Sequence, residues 1–126
     1  MAHTVGVTVR MLRPAEIVGA EMAATRAGAA VFTLPAGIAG SEDFFDAARS
    51  VFPLEPQLSR ESRSWDELSD ALRRGLSGLG VVVVIWPDPW LLEDFDAEAG
   101  RTAVELLSAL GAESASVTTI LGTRGI

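Results

Sequence analysis

Apolar positions along this chain switch between two periods, and the switches mark its elements. Val5, Val7, Val9 and Met11 alternate with Gly6, Thr8 and Arg10, the period of a strand with one wet face. Pro14 suits a first helical position, and Ile17, Val18, Glu21 and Met22 carry a short helix to about Ala24, weakened by Gly19. Residues 30–34 predict a strand closed by Pro35 and Gly37. A helix over 41–50 follows, burying Phe44, Phe45 and Ala48, and Phe52-Pro53 ends it. Residues 53–63 carry Pro53, Pro56 and scattered charge, the composition of a loop.

The next helix has the clearest start. Ser64 followed by Glu67 is a capping box, in which the hydroxyl accepts from the amide three residues on while the carboxylate reaches back. Trp65, Leu68, Leu72 and Leu76 then fall within an arc of roughly 80° at helical spacing. Gly75, Gly78 and Gly80 predict its end. Residues 81–86 are apolar without interruption, as in a strand covered on both faces of a parallel sheet, and Pro87-Asp88-Pro89 closes it. A helix over 98–110, burying Ala103, Val104, Leu107 and Leu110 with Gly111 as its C-cap, leads to a last strand over 117–121. Strands separated by helices need crossover connections, so the expectation is an α/β fold with a mainly parallel sheet.

Length and composition narrow the class. A chain of 126 residues that is 48% hydrophobic and 21% charged is one domain with a core, not a disordered chain. It has no cysteine, so disulfides, thiolate metal sites and a cysteine nucleophile are excluded. No basic segment followed by an apolar run opens it, and no apolar run approaches the roughly 20 residues that span a bilayer. The expectation is a cytoplasmic protein.

Its formal charge is −7, and the distribution is uneven. Residues 41–70 and 88–105 each carry a net charge of −5, and the remainder is net basic. Concentrated acidity disfavours nucleic acid and anionic membranes as partners and favours a basic protein. It also serves plain solubility.

Catalytic and cofactor signatures are weak. The sole histidine is His3, near the start of the chain, so no Ser/His/Asp arrangement is available. Residues 34–40 are Gly-rich but lack the phosphate-loop lysine and the dinucleotide spacing. Asp88, Glu93, Asp94 and Asp96 do not match a calcium loop and read as solvated charge. No cofactor, metal or enzymatic activity is expected. Asp66 and Asp70, one turn apart, share a second face of the Ser64 helix, with Ser69 beside them toward the core edge. Like charges at that spacing repel by a few tenths of a kcal/mol. The bland account is that Asp66 gains from the helix dipole, that Asp70 pairs with Arg74, or that both are simply solvated. An acid–base pair is the catalytic account, and it requires a concave pocket between these carboxylates and the loop at Trp86–Trp90.

The run Ser64-Trp65-Asp66-Glu67-Leu68-Ser69-Asp70-Ala71-Leu72 resembles the barstar family of intracellular ribonuclease inhibitors. The family pattern is a polar residue, an apolar one, Asp, two further residues, a variable or aromatic one, and Asp. Phe32 and Leu34 with Gly37-Ile38, Phe44-Phe45, Phe52-Pro53, the strand at 81–86 and Thr118-Thr119-Ile120-Leu121 follow in the family's order. The likeness covers about residues 30–122 and leaves 1–29 as an extension that could add a strand.

The resemblance implies a barstar-like fold, with a mainly parallel three-stranded sheet and flanking helices. It also implies a function. In the family this helix and the loop before it cover the active site of a secreted, guanyl-type microbial ribonuclease, and two aspartates occupy phosphate positions. Carried over, Asp66 and Asp70 are those carboxylates, and Ser64, Trp65 and Ser69 complete the partner-binding set. A site built for phosphate is cationic, so pre-fixed carboxylates gain charge-assisted hydrogen bonds there. Long-range attraction speeds encounter, barstar with its ribonuclease being itself the reference case. The chain is then a monomer when free. It departs from the family in four places. Segment 54–63 is longer and lacks the aromatics and glycine, Ser64 replaces a common Asn, Ser69 a frequent aromatic, and Ser108-Ala109-Leu110 lacks a late acid. The altered loop keeps open a barstar-like immunity or adaptor protein with a partner other than a ribonuclease.

Overall fold

The structure, a computed structural model, describes residues 9–124. The elements run β1 (Val9–Leu12), α1 (Pro14–Arg26), β2 (Ala30–Thr33), α2 (Ser41–Val51), α3 (Trp65–Leu76), β3 (Val82–Trp86), α4 (Pro89–Phe95), α5 (Ala97–Glu113) and β4 (Val117–Gly122). The four strands form one parallel sheet in the order β1-β4-β3-β2. The α/β class and the parallel sheet are therefore as expected. Of the alternating first run, Val9 and Met11 lie in β1, which pairs with β4, while Val5 and Val7 fall outside the described residues.

Strand order decides where the helices go. The connection from β1 to β2 crosses the sheet in one sense, and those from β2 to β3 and from β3 to β4 cross it in the other. A common right-handed crossover then puts α1 on one face and α2 to α5 on the opposite one. The two cores follow this division. Val82, Val84 and Trp86 join Phe44, Leu68, Leu72, Leu107 and Leu121 on the broad face. Val83 and Ile85 meet Ile17 and Ile120 under α1. Alternate residues of β3 thus enter different cores, and all five are buried. Residues from the N-terminal extension supply an edge strand and the second cover, so the sheet is buried on both sides.

Four local expectations are corrected. Pro87-Asp88-Pro89 does not lead into a loop: Pro89 opens the short helix α4, as a first-turn proline can, and Leu92 reaches the broad core. Gly111 does not cap α5, which continues to Glu113, and Gly111 is buried inside it. Val104 is half-buried rather than buried. Nor does Gly75 end α3. It lies within the helix, where a Cβ would stand 1.5 Å from the carbonyl oxygen of Pro53. The glycine lets the chain at 53–55 lie directly on α3, and the amide of Glu55 donates to the carbonyl of Ala71 at 3.1 Å. The turn after α3 is made by Gly78 and Gly80, at φ of +85° and +80°.

Gly75→Ala is expected to destabilise the fold by about 1–3 kcal/mol through this backbone collision. Gly19→Ala, in the interior of α1 with open space around it, is expected to stabilise by about 0.5–1 kcal/mol. Urea unfolding of the two variants checks the pair, and equal effects of one sign would contradict both assignments.

Candidate functional site

Helix α3 is held by its inner face. Leu68, Ala71, Leu72 and Leu76 are buried. The Trp65 ring, half-buried, packs 5.6 Å from Phe44 and 4.8 Å from Phe45, and Phe44 continues to Trp86 at 5.0 Å. Trp65 therefore spends most of its ring on the α2–α3 contact rather than presenting it to solvent. Ser64 is the N-cap, its hydroxyl accepting from the amide of Glu67 at 3.2 Å. Only half of the expected capping box forms, because the Glu67 carboxylate accepts instead from the Ser62 hydroxyl at 2.7 Å.

The outer face carries the two aspartates. Both are exposed. Asp66 has no ion-pair or side-chain hydrogen-bond partner among the described residues. Asp70 keeps its side chain 66% exposed and touches Arg73, not Arg74, at 3.6 Å. That contact is secondary for the arginine. Arg73 Nε and Nη2 donate to the two oxygens of Glu113 at 2.7 and 2.9 Å, and Nη1 donates to the Ser69 hydroxyl at 2.7 Å. Ser69 is thus turned toward Arg73, and this bridge ties α3 to the end of α5. The Arg73 side-chain hydrogen bonds, offset in part by desolvation, hold the Glu113 carboxyl below its ordinary value, and Glu113 in turn raises Arg73.

Around α3 the loop at 54–63 forms walls. Asp70 and Glu67 line a cleft of about 320 Å³ with Pro56, Leu58 and Arg74. Asp66 is not among its lining residues, so the two carboxylates do not face one concavity there. Trp86, which the acid–base account places at the pocket wall, is fully buried. On the other side of the same loop, Arg49, Arg60 and Arg63 converge on a separate cleft. Charge counting along the chain hides this grouping, because one of the three lies on α2 and two on the loop.

The Gly-rich turn and three of the four acids after Trp86 have structural employment. Gly37, in the Gly-rich turn, donates its amide to Asp88 Oδ2 at 2.9 Å, which ties the β2–α2 turn to the β3–α4 turn. Asp96 caps α5 by accepting from the amide of Ala99 at 3.1 Å. Both oxygens of Asp94 accept from a single Arg124 nitrogen, Nη2, at 2.8 and 2.7 Å. No cluster of three or more metal-ligating side chains occurs among the described residues, and none of their helices is long and apolar enough to cross a membrane. His3 lies outside the described residues. No family model, curated protein or solved structure matches the chain.

Because the Glu113 carboxyl is depressed in the folded state, its contribution is present above the ordinary carboxylate range and is lost as pH falls through the folded value. Glu113→Gln is therefore expected to lower the urea midpoint at about pH 7 and to leave it nearly unchanged at about pH 3. An equal loss at both values would show that the bridge acts by packing and not by charge.

Proposed function

We propose that this protein is a barstar-like inhibitor of a secreted, basic, guanyl-type microbial ribonuclease, acting in the cytoplasm of the cell that makes the enzyme. The observation that carries the reading is the pair Asp66 and Asp70, both exposed and one turn apart on a helix whose opposite face is locked into the core. A phosphate-binding cleft presents guanidinium, ammonium and imidazolium groups at fixed separations. Carboxylates fixed in advance meet them without ordering cost, and each gains charge-assisted hydrogen bonds on desolvation. The strands β2, β3 and β4, joined by helices on one face, fit the three-stranded unit that the resemblance implies. The segment at 54–63 stands beside α3, where the family's covering loop would be. Inhibition needs no chemistry from the inhibitor, only occupation of the site.

A second reading draws support from the loop itself. The segment at 54–63 lacks the aromatics and glycine of the family's covering segment and carries Arg60 and Arg63, which would repel a basic enzyme at the rim of the contact. A barstar-like immunity or adaptor module with a less basic partner fits that feature.

Titrating a purified guanyl-type ribonuclease with the protein separates the two. The inhibitor reading expects stoichiometric loss of activity, weakening with added salt. Asp70→Ala should cost about 2 kcal/mol or more of binding, roughly a 30-fold loss, expressed mainly as faster dissociation. Unchanged activity across a panel that includes the producing cell's own enzyme would overturn it and favour the adaptor.

A further inference from the structure

In a chain of net charge −7 with only ten cationic side chains besides its histidine, three arginines gather on one cleft of about 760 Å³ between α2 and the loop at 54–63. They are held in different ways. Arg49, its side chain only 14% exposed, is fixed by Asp46 one turn back on α2 and by donation to the Ser59 carbonyl at 3.3 Å. Arg63 donates through Nη1 to the carbonyls of Arg60 and Ser62 at 2.7 and 2.8 Å, and its guanidinium lies 5.9 Å over the Phe45 ring. Carbonyl partners orient a guanidinium without cancelling its charge. Its one carboxylate contact, to the exposed Glu42, is long at 4.0 Å. The Arg60 side chain has no hydrogen-bond or ion-pair partner among the described residues.

The charge balance is specific. Asp46 is the only acid among the lining residues, and it is taken up by Arg49. Arg60 and Arg63 are left with two positive charges that no side chain lining the cleft offsets. Guanidinium forks match the geometry of phosphate oxygens, and a phosphate monoester brings about two negative charges at neutral pH. Leu54 and Leu58 add apolar surface to the same cleft, with Gln57 between them as an amide donor and acceptor. The volume falls in the range of about 300–1,000 Å³ typical of small-molecule sites and far exceeds what a bare oxyanion fills. We propose that this cleft binds a small organic phosphate monoester, with Arg60 and Arg63 on the phosphate, Arg49 as its fixed rear wall, and Leu54 and Leu58 against the organic part. The cleft is distinct from the carboxylate pair of the proposed partner contact, since none of Asp66, Asp70 or Ser69 lines it, although Arg60 and Arg63 stand at the rim of that contact.

Calorimetric titration of the full chain in phosphate-free, low-salt buffer tests it, with four probes: adenosine 5′-monophosphate, inorganic phosphate, adenosine and citrate. The monophosphate is expected to bind at least about tenfold more tightly than inorganic phosphate, with no heat from adenosine and weaker binding of citrate. Arg60→Ala, at an exposed position without side-chain partners, should leave the unfolding midpoint unchanged and lower affinity for the monophosphate by about tenfold. Arg101→Ala, on α5 and outside the cleft, should change neither the midpoint nor the affinity. Absence of binding by both phosphates, equal affinity for the two, tighter binding of citrate, or an unaffected Arg60→Ala variant would each overturn the proposal.

Discussion

A helix can aim charges outward at fixed positions only if something holds its other side, and in this protein that something is an aromatic contact. Trp65, in the first turn of α3, packs on Phe44 and Phe45 of α2, and Phe44 packs on Trp86 of β3. Rings of this size bury large areas, and tilted pairs at such separations gain about 0.5–1.5 kcal/mol beyond the area effect. The cap at Ser64 and the close contact at Gly75 fix the two ends of the same helix. Rotation of α3 about its axis would break all three at once. The orientation of Asp66 and Asp70 is therefore a property of the core and not of the surface on which they sit.

The sheet imposes its own constraint on the same helix. Because β3 lies between two neighbours and is covered on both faces, its side chains commit alternately to α1 and to the broad helical layer. α1 contributes nothing to the face that carries α3, and β1 only Val9 at its margin, yet α1 covers Val83 and Ile85 with Ile17. In the absence of that cover, the apolar underside of the sheet would be an exposed patch. The N-terminal stretch is therefore part of what lets a strand of unbroken apolar composition exist here.

Charge is organised around the loop at 54–63 more finely than any net value conveys. One cleft beside the loop is lined by Glu67 and Asp70, and another by Arg49 of α2 with the loop's own Arg60 and Arg63. Opposite potentials a few residues apart do not cancel where each lies in its own concavity with low-dielectric walls, since the field is focused locally. The loop is kept in place by the Glu55 amide on Ala71, by buried Leu54, and by the grip of Arg49 on the Ser59 carbonyl.

Periodicity and end signals sufficed for β3, the inward stripes of α2 and α3, the N-cap at Ser64, the parallel α/β class and the position of Asp66 and Asp70 on an outward face. These follow from local rules: what alternates, what repeats every three to four residues, and what can cap. Gly75 and Gly111, by contrast, look like helix breakers in one dimension and sit inside helices in three. For the first the reason is a neighbour distant in sequence, the Pro53 carbonyl that lies against it, and the second is buried within the last turns of α5. The helix at Pro89 was hidden because a proline signals both the end of a strand and the first turn of a helix. Glu67 turned to Ser62, and Arg73 chose Glu113, forty residues away, because side chains bind the nearest well-placed partner in space. The grouping of Arg49, Arg60 and Arg63 belongs to the same kind of fact. Along the chain they lie in an acidic stretch, and only the folding of a loop back against α2 brings them together.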